Sequence, residues 1–287
     1  PARVLGVSPA SGPLVGGLLL SVYGQGFTNA GTKLLCRFWG RLHSVATFVN
    51  DKEVKCLLPA SNVEGVTTVE ISADGNEFSS NNVQFSYRHS AIIHSASPSL
   101  ISSEGGAKIT VFGANFSTLG NLSCKFGNTY SVGTYLSENV MQCISPVHKI
   151  GATSLRVSNY GHQFVGGNSI QVTYTAPIQL SSNYPISGPI SGSSAVVLFG
   201  SGFLNTEYLA CRFGSVVVPA NFSTSERVVC VSPPHLQEKV QLSVSNNGQE
   251  YAHSTLTFSY EGRVSILSFL PRMGSRDGGT EVEVVGM

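Results

Sequence analysis

The chain has 287 residues and a net charge of +1, and only 11% of its residues are charged, against about 25% in an ordinary globular protein. That balance excludes a nucleic-acid-binding surface, which needs clustered Lys and Arg, and no apolar run approaches the 18 or more residues of a membrane helix. Polarity comes instead from hydroxyl groups, 41 serines with many Thr and Asn, which suits an extracellular or cell-wall protein.

In chain order, short runs with period-two alternation predict strands over Arg3 to Val7, Leu18 to Tyr23, Leu34 to Phe38, Ser44 to Val49, Val54 to Leu58, Thr67 to Ala73 and Asn82 to Tyr87. The Asp74-Gly75 step predicts a tight hairpin with positive φ at both central residues. The same marks then recur roughly every 87 residues. Proline returns at Pro9, Pro98, Pro185 and Pro271; Gly24-Gln25-Gly26-Phe27 returns as Gly113-Ala114-Asn115-Phe116 and Gly200-Ser201-Gly202-Phe203; Asp74-Gly75 returns as Tyr160-Gly161 and Asn247-Gly248. No stretch of ten or more residues has helical periodicity. Seven short strands per copy predict an immunoglobulin-like β-sandwich. The expected domains are 1–88, 89–175 and 176–262, with the first two strands of a fourth in 263–287. Linkers at Arg88 to Ala91, Thr175 to Pro177 and Glu261 to Arg263 are short enough to predict a semi-rigid rod. The chain opens on Pro1-Ala2-Arg3 without a leader pattern and reads as a mature or excerpted part of a longer protein.

Six cysteines fall in equivalent pairs, Cys36/Cys56, Cys124/Cys143 and Cys211/Cys230. The pairing predicts one disulfide per copy, an oxidising compartment, and roughly 3 kcal/mol of stabilisation for each closed loop. The alternative, a metal site, lacks a second repeated pair or a histidine partner.

The order Pro, Gly-Gly, V-x-G-x-G-F, C-x-F-G, V-x-C-x-x-P, N-G-x-x-F, F-x-Y, carried in the first copy by Pro9, Gly24 to Phe27, Cys36, Cys56, Pro59 and Phe85-Ser86-Tyr87, resembles the IPT/TIG domain. The resemblance covers residues 4 to 287. It implies an all-β chain of tandem immunoglobulin-like sandwiches of the kind found in plexins and related receptors, in microbial surface proteins and in some transcription factors. Such folds host many unrelated roles.

Few residues invite chemistry. The Gly24/Gly26 turn lacks the following helix of a phosphate loop and reads as a need for positive φ there, with Phe27 plugging the core. Alternation turns Arg37, Lys125 and Arg212 outward onto a solvated face. His148 and His235 are equivalent, but the first copy has Ser61 there; His89 and His94 read as surface residues. No Ser, His and acid set and no paired carboxylates recur, so catalytic residues, cofactor and metal are all expected to be absent. Trp39, the one tryptophan, is an insertion that either faces a partner or sugar or covers a domain junction. Sequons at Asn115, Asn121 and Asn221 predict N-glycans, with O-glycans on hydroxyls as a further expectation; Asn121 and Asn221 should be accessible, the latter beside an inward Phe222 aligned with Phe48 and Tyr135, whereas Asn115 sits in the tight turn. Two strands in 263–287 cannot bury a core and invite pairing with another chain.

The resulting expectation is a non-enzymatic extracellular or cell-surface protein for adhesion, recognition or structure. Its partners would be other protein chains, by self-assembly or as receptor and ligand, and it would assemble end to end into glycosylated filaments. The alternative is a carbohydrate-binding accessory region of a larger secreted enzyme. A Rel-type DNA-binding module would need basic recognition loops and reduced cysteines.

Overall fold

The computed structural model describes residues 2–262 and 265–286. Pro1, Arg263, Val264 and Met287 lie outside the described residues, and with them the expected start of the fourth copy and the end of the third linker. Two compact units divide the chain, Pro1–Thr175 and Ala176–Met287.

The first copy has eight strands: β1 (Arg3–Ser8), β2 (Ser11–Pro13), β3 (Leu19–Gln25), β4 (Leu35–Phe38), β5 (Leu42–Asn50), β6 (Glu53–Leu57), β7 (Gly65–Ser72) and β8 (Val83–Arg88). They pair in the order β1-β3-β6-β5-β4-β7-β8-β2. The ladder folds into two layers at β5, whose first half, Leu42 to Val45, pairs with β4 and whose second half, Ala46 to Asn50, pairs with β6. The second copy repeats the set as β9 (Ile92–Ser97), β10 (Leu100–Ser102), β11 (Lys108–Ala114), β12 (Ser123–Phe126), β13 (Thr129–Ser137), β14 (Val140–Ile144), β15 (Gly151–Ser158) and β16 (Ile170–Thr175). The third does so as β17 (Gln179–Tyr184), β18 (Ser187–Pro189), β19 (Ala195–Ser201), β20 (Ala210–Phe213), β21 (Val216–Thr224), β22 (Arg227–Val231), β23 (Lys239–Ser245) and β24 (Thr257–Glu261). Beyond them, β25 (Ile266–Leu270) and β26 (Glu283–Gly286) form a separate antiparallel pair.

The alternation works as the pattern requires. On β3, Leu20 and Val22 are fully buried while Leu19 and Tyr23 are exposed. Side chains from both layers meet in one core per copy, around Phe38, Phe85 and Tyr87, around Phe126 and Tyr174, and around Phe213, Phe258 and Tyr260. Disulfides Cys36–Cys56, Cys124–Cys143 and Cys211–Cys230 each join the two layers through the middle of a core, β4 to β6 in the first copy. All four recurring prolines, Pro9, Pro98, Pro185 and Pro271, follow cis peptide bonds.

Three expectations need correction. There are eight strands per copy rather than seven, the addition being β2 and its counterparts. A three-residue run is too short to show alternation; Ser11–Pro13 pairs in parallel with β8 at the edge of the sheet, where a proline is tolerated. The turn after β3 needs positive φ only at its second position, where Gly26, Asn115 and Gly202 lie at 71°, 63° and 81°. Gly24, Gly113 and Gly200 are glycines for another reason: a Cβ there would strike the carbonyl oxygen of Arg3, Ile92 or Gln179 on the neighbouring strand. The phenylalanines that follow, Phe27, Phe116 and Phe203, are buried as plugs. Asp74-Gly75 is not a two-residue hairpin either. Of the two residues only Gly75 has positive φ, and the loop runs from the end of β7 to Val83. Its turn is built by Asp74 Oδ1, which accepts the amides of Asn76 and Glu77 at 2.8 and 2.9 Å.

Candidate recognition site

The long loop before each copy's last strand folds over the outer face of its sheet. Phe78, Phe164 and Tyr251, each three residues after the loop glycine, cover the central cation of that face. The Arg37 guanidinium lies 3.8 Å from the Phe78 ring centre, Arg212 lies 4.4 Å from Tyr251, and Lys125 Nζ lies 6.0 Å from Phe164 and 5.3 Å from Tyr130. Arg37 also donates to Glu70 Oε2 at 2.5 Å, and its side chain is 27% exposed. The expected solvated face is thus a covered one, each contact contributing about 0.5–1 kcal/mol. The recurring G-x-x-aromatic spacing was visible in the sequence, but its target across the sheet was not.

The buried tyrosine of each closing strand carries a planar cap. His148 stacks on Tyr174 with ring centres 4.7 Å apart, and His235 on Tyr260 at 4.9 Å. The first copy has Ser61 in place of the histidine, and there Trp39 stacks on Tyr87 at 6.3 Å and an interplanar angle of 24°. Trp39 holds φ 53°, and its backbone N–H donates to Thr67 Oγ1 at 2.7 Å. It is half-buried and packs against the core of its own copy.

The sequons differ in setting. Asn121 and Asn221 are exposed, Asn121 just before β12 and Asn221 on β21 opposite Val229. Asn115 is half-buried in the tight turn, where its Nδ2 donates to the Ser90 carbonyl at 3.1 Å and its own carbonyl accepts from Asn159 Nδ2 at 2.7 Å. Phe222 and Phe48 pack against their cores, whereas their counterpart Tyr135 is 39% exposed.

The second copy departs most from the pattern. Where the others have Asp74 and Asn247, whose side-chain oxygens accept the following loop amides, it has Tyr160, which cannot close its loop that way. Tyr160 instead inserts into the core cluster of the first copy and is 7% exposed. Gln163 follows, with its carboxamide oxygen accepting from the Leu19 N–H at 2.7 Å and its Nε2 donating to the Leu19 carbonyl at 3.0 Å. Leu19 lies past the end of the β1 pairing, so the glutamine side chain takes the place of a neighbouring strand. Between the two copies lies a cleft of about 280 Å³ lined by Glu64, Arg88, His89, Asn115, Glu138 and Tyr160. His89 Nε2 approaches Glu64 Oε2 at 3.6 Å, both exposed. Burial pushes the Tyr160 phenol up to about 12, against a partial opposing effect of Arg88. A second groove, about 820 Å³, runs along the outer face of the second copy past Asn121, Tyr130, Val132, Tyr135 and His162.

Among the described residues no three His, Cys, Asp or Glu side chains gather as metal ligands, and no helix is long and apolar enough to cross a membrane. His94 is exposed. The large apolar groups left on the surface, Val132 at 83% and Leu236 at 79% among them, offer contact area rather than reactivity.

Comparison with known proteins gives the family. The chain is 26% identical to mouse fibrocystin-L over 294 residues, covering 99% of this chain and 7% of that protein, and 25% identical to mouse plexin-B2 over 238 residues, covering 76% and 12%. It therefore spans a small fraction of the length of these relatives. Among solved structures, the plexin A4 extracellular region, domains 1 to 10, aligns over 94% of this chain and 30% of that one, with a TM-score of 0.42 and 13% identity. The family model for the IPT/TIG domain matches residues 2–87, 91–176 and 178–260, and the chain belongs to the IPT/TIG domain family.

Proposed function

We propose that the chain is a non-enzymatic segment of an extracellular or cell-surface protein that recognises other protein chains in adhesion or reception. The observation that carries this reading is where the side chains are spent. Cations lie under aromatics and two histidines lie on tyrosines, while large apolar groups such as Leu236, Val147 and Tyr184 face solvent. Exposed apolar area on a disulfide-stapled scaffold is suited to contact with a partner. Asn121 and Asn221 are its glycan attachment points. The finer form of the proposal is end-to-end assembly of the chain into glycosylated filaments. A head-to-tail contact builds open filaments.

Sedimentation velocity over a concentration series, together with aggregation of beads coated with the chain, tests both levels. Bead clustering or specific cell-surface binding supports recognition, and concentration-dependent growth supports assembly. A chain that stays monomeric and leaves beads and cell surfaces bare would refute both. Binding confined to oligosaccharides on a glycan array would favour the accessory carbohydrate-binding alternative.

A further inference from the structure

We propose that the groove on the outer face of the second copy is the docking site of the protein's own N-glycan, carried on Asn121. This deepens the glycan-bearing reading above and rests on it. Asn121 is exposed at the rim of the groove, and its carbonyl accepts the Gly161 N–H at 2.6 Å, which fixes it beside His162. His162 stacks on Tyr130 with ring centres 4.4 Å apart and planes 20° from parallel. The two rings form an aromatic wall, and Lys125 Nζ lies 5.3 Å from the Tyr130 centroid. Val132, 83% exposed, and Tyr135, 39% exposed, line the same groove. N-acetylglucosamine fits such a lining: its ring C–H face and acetamido methyl pack on aromatic and aliphatic surface, while its hydroxyls stay in water. The groove, about 820 Å³, lies within the roughly 300–1,000 Å³ that ligands of drug size occupy, a class that includes a two-sugar core.

The contrast between copies supports the pairing of sugar and groove. At the position of Asn121 the first and third copies carry Lys33 and Tyr208, neither a sequon. Opposite the covered cation, where the second copy has Tyr130, they carry His43 and Val217. The attachment point and the stacked wall beside it therefore occur together in one copy and separately in none. A tether at the rim also selects the occupant, since a sugar already linked to Asn121 meets the groove at high effective concentration while a free oligosaccharide does not.

The test uses the whole chain secreted from eukaryotic cells. Peptide mapping first reads occupancy at Asn121 and Asn221, and native release by peptide N-glycosidase is then timed at each site. Docking predicts that Asn121 releases roughly tenfold more slowly than Asn221, the factor that about 1.4 kcal/mol of protection gives. It also predicts that Tyr130→Ala brings the two rates together, and that denaturation equalises them in the unaltered chain. Equal native rates in the unaltered chain overturn docking while leaving glycosylation intact. An unmodified Asn121 beside a modified Asn221 overturns docking as well, and two unmodified sites overturn the glycan reading beneath it. If Tyr130→Ala fails to secrete, Tyr130→Leu keeps the bulk and removes the flat face, and an unchanged Asn121 rate in that variant counts against the wall. Soluble chitobiose added to enzymatically deglycosylated chain should leave the Tyr130 ring signals unshifted; binding there would make the groove a receptor site for external sugar and overturn the proposal.

Discussion

At Tyr87, Tyr174 and Tyr260 the ring is buried on the closing strand, and one face is left for a planar neighbour. Two copies supply histidine from the segment after the second cysteine, and the first supplies Trp39 from the turn after β4. Truncating a fully buried aromatic costs about 3–5 kcal/mol, and Trp39 is half-buried, so Trp39→Ala should cost about 1–3 kcal/mol in chemical denaturation of the chain. Adding Ser61→His to that variant should recover part of the loss if the histidine position is equivalent, and no recovery would show that the caps are unrelated. A second residue-scale prediction concerns the sequons. Intact mass before and after deglycosylation should show two N-glycans, mapped to Asn121 and Asn221, with Asn115 bare, because its carboxamide is held against the Ser90 carbonyl in a left-handed turn. Detection of a glycan on Asn115 in folded protein would refute this.

The loop between the last two strands is the element in which the copies diverge. A buried serine starts it each time, Ser72, Ser158 and Ser245, and in the first and third copies an Asx side chain completes it locally. In the second copy the loop carries Tyr160 and Gln163 outward to the first copy. Gln163→Glu, which installs the residue found at Glu77 and Glu250, keeps an acceptor but removes the donor to the Leu19 carbonyl. The expected cost is about 1 kcal/mol, with faster amide exchange at Leu19, read by hydrogen exchange and thermal melting. Unchanged exchange at Leu19 would show that the glutamine contacts contribute nothing. This divergence also marks what could be read in advance. The sandwich, the strand pattern and the turn glycines follow from local alternation and steric demand, which a sequence displays directly. Gln163 gripping Leu19 joins residues 144 positions apart, and the cover of Arg37 by Phe78 crosses a sheet. The first shows only as an irregularity in the repeat; the second leaves a recurring aromatic spacing that does not name its target.

Across the whole molecule, each core closes within its own copy except the first, which includes Tyr160 of the second. Burying phenols in this way makes the chain's stability depend on alkaline pH. Burial pushes Tyr160 and Tyr260 up to about 12 and Tyr87 higher still, whereas an unfolded tyrosine ionises near 10. The folded state therefore holds its phenolic protons more tightly than the unfolded state does. The stability they contribute is complete below about pH 10 and is lost as pH rises through about 12. For Tyr160 the two-unit difference corresponds to on the order of 2–3 kcal/mol once the window is crossed. Its hydroxyl is buried without a hydrogen-bond partner, so Tyr160→Phe should leave stability at neutral pH equal or slightly higher. The variant should then fall less steeply than the unaltered chain between pH 10 and 12, by up to about 1.4 kcal/mol per pH unit. Denaturant melts at several alkaline pH values measure that slope. Parallel pH profiles for the two chains would mean that Tyr160 ionises as freely as in the unfolded state, and that the first copy does not bury it.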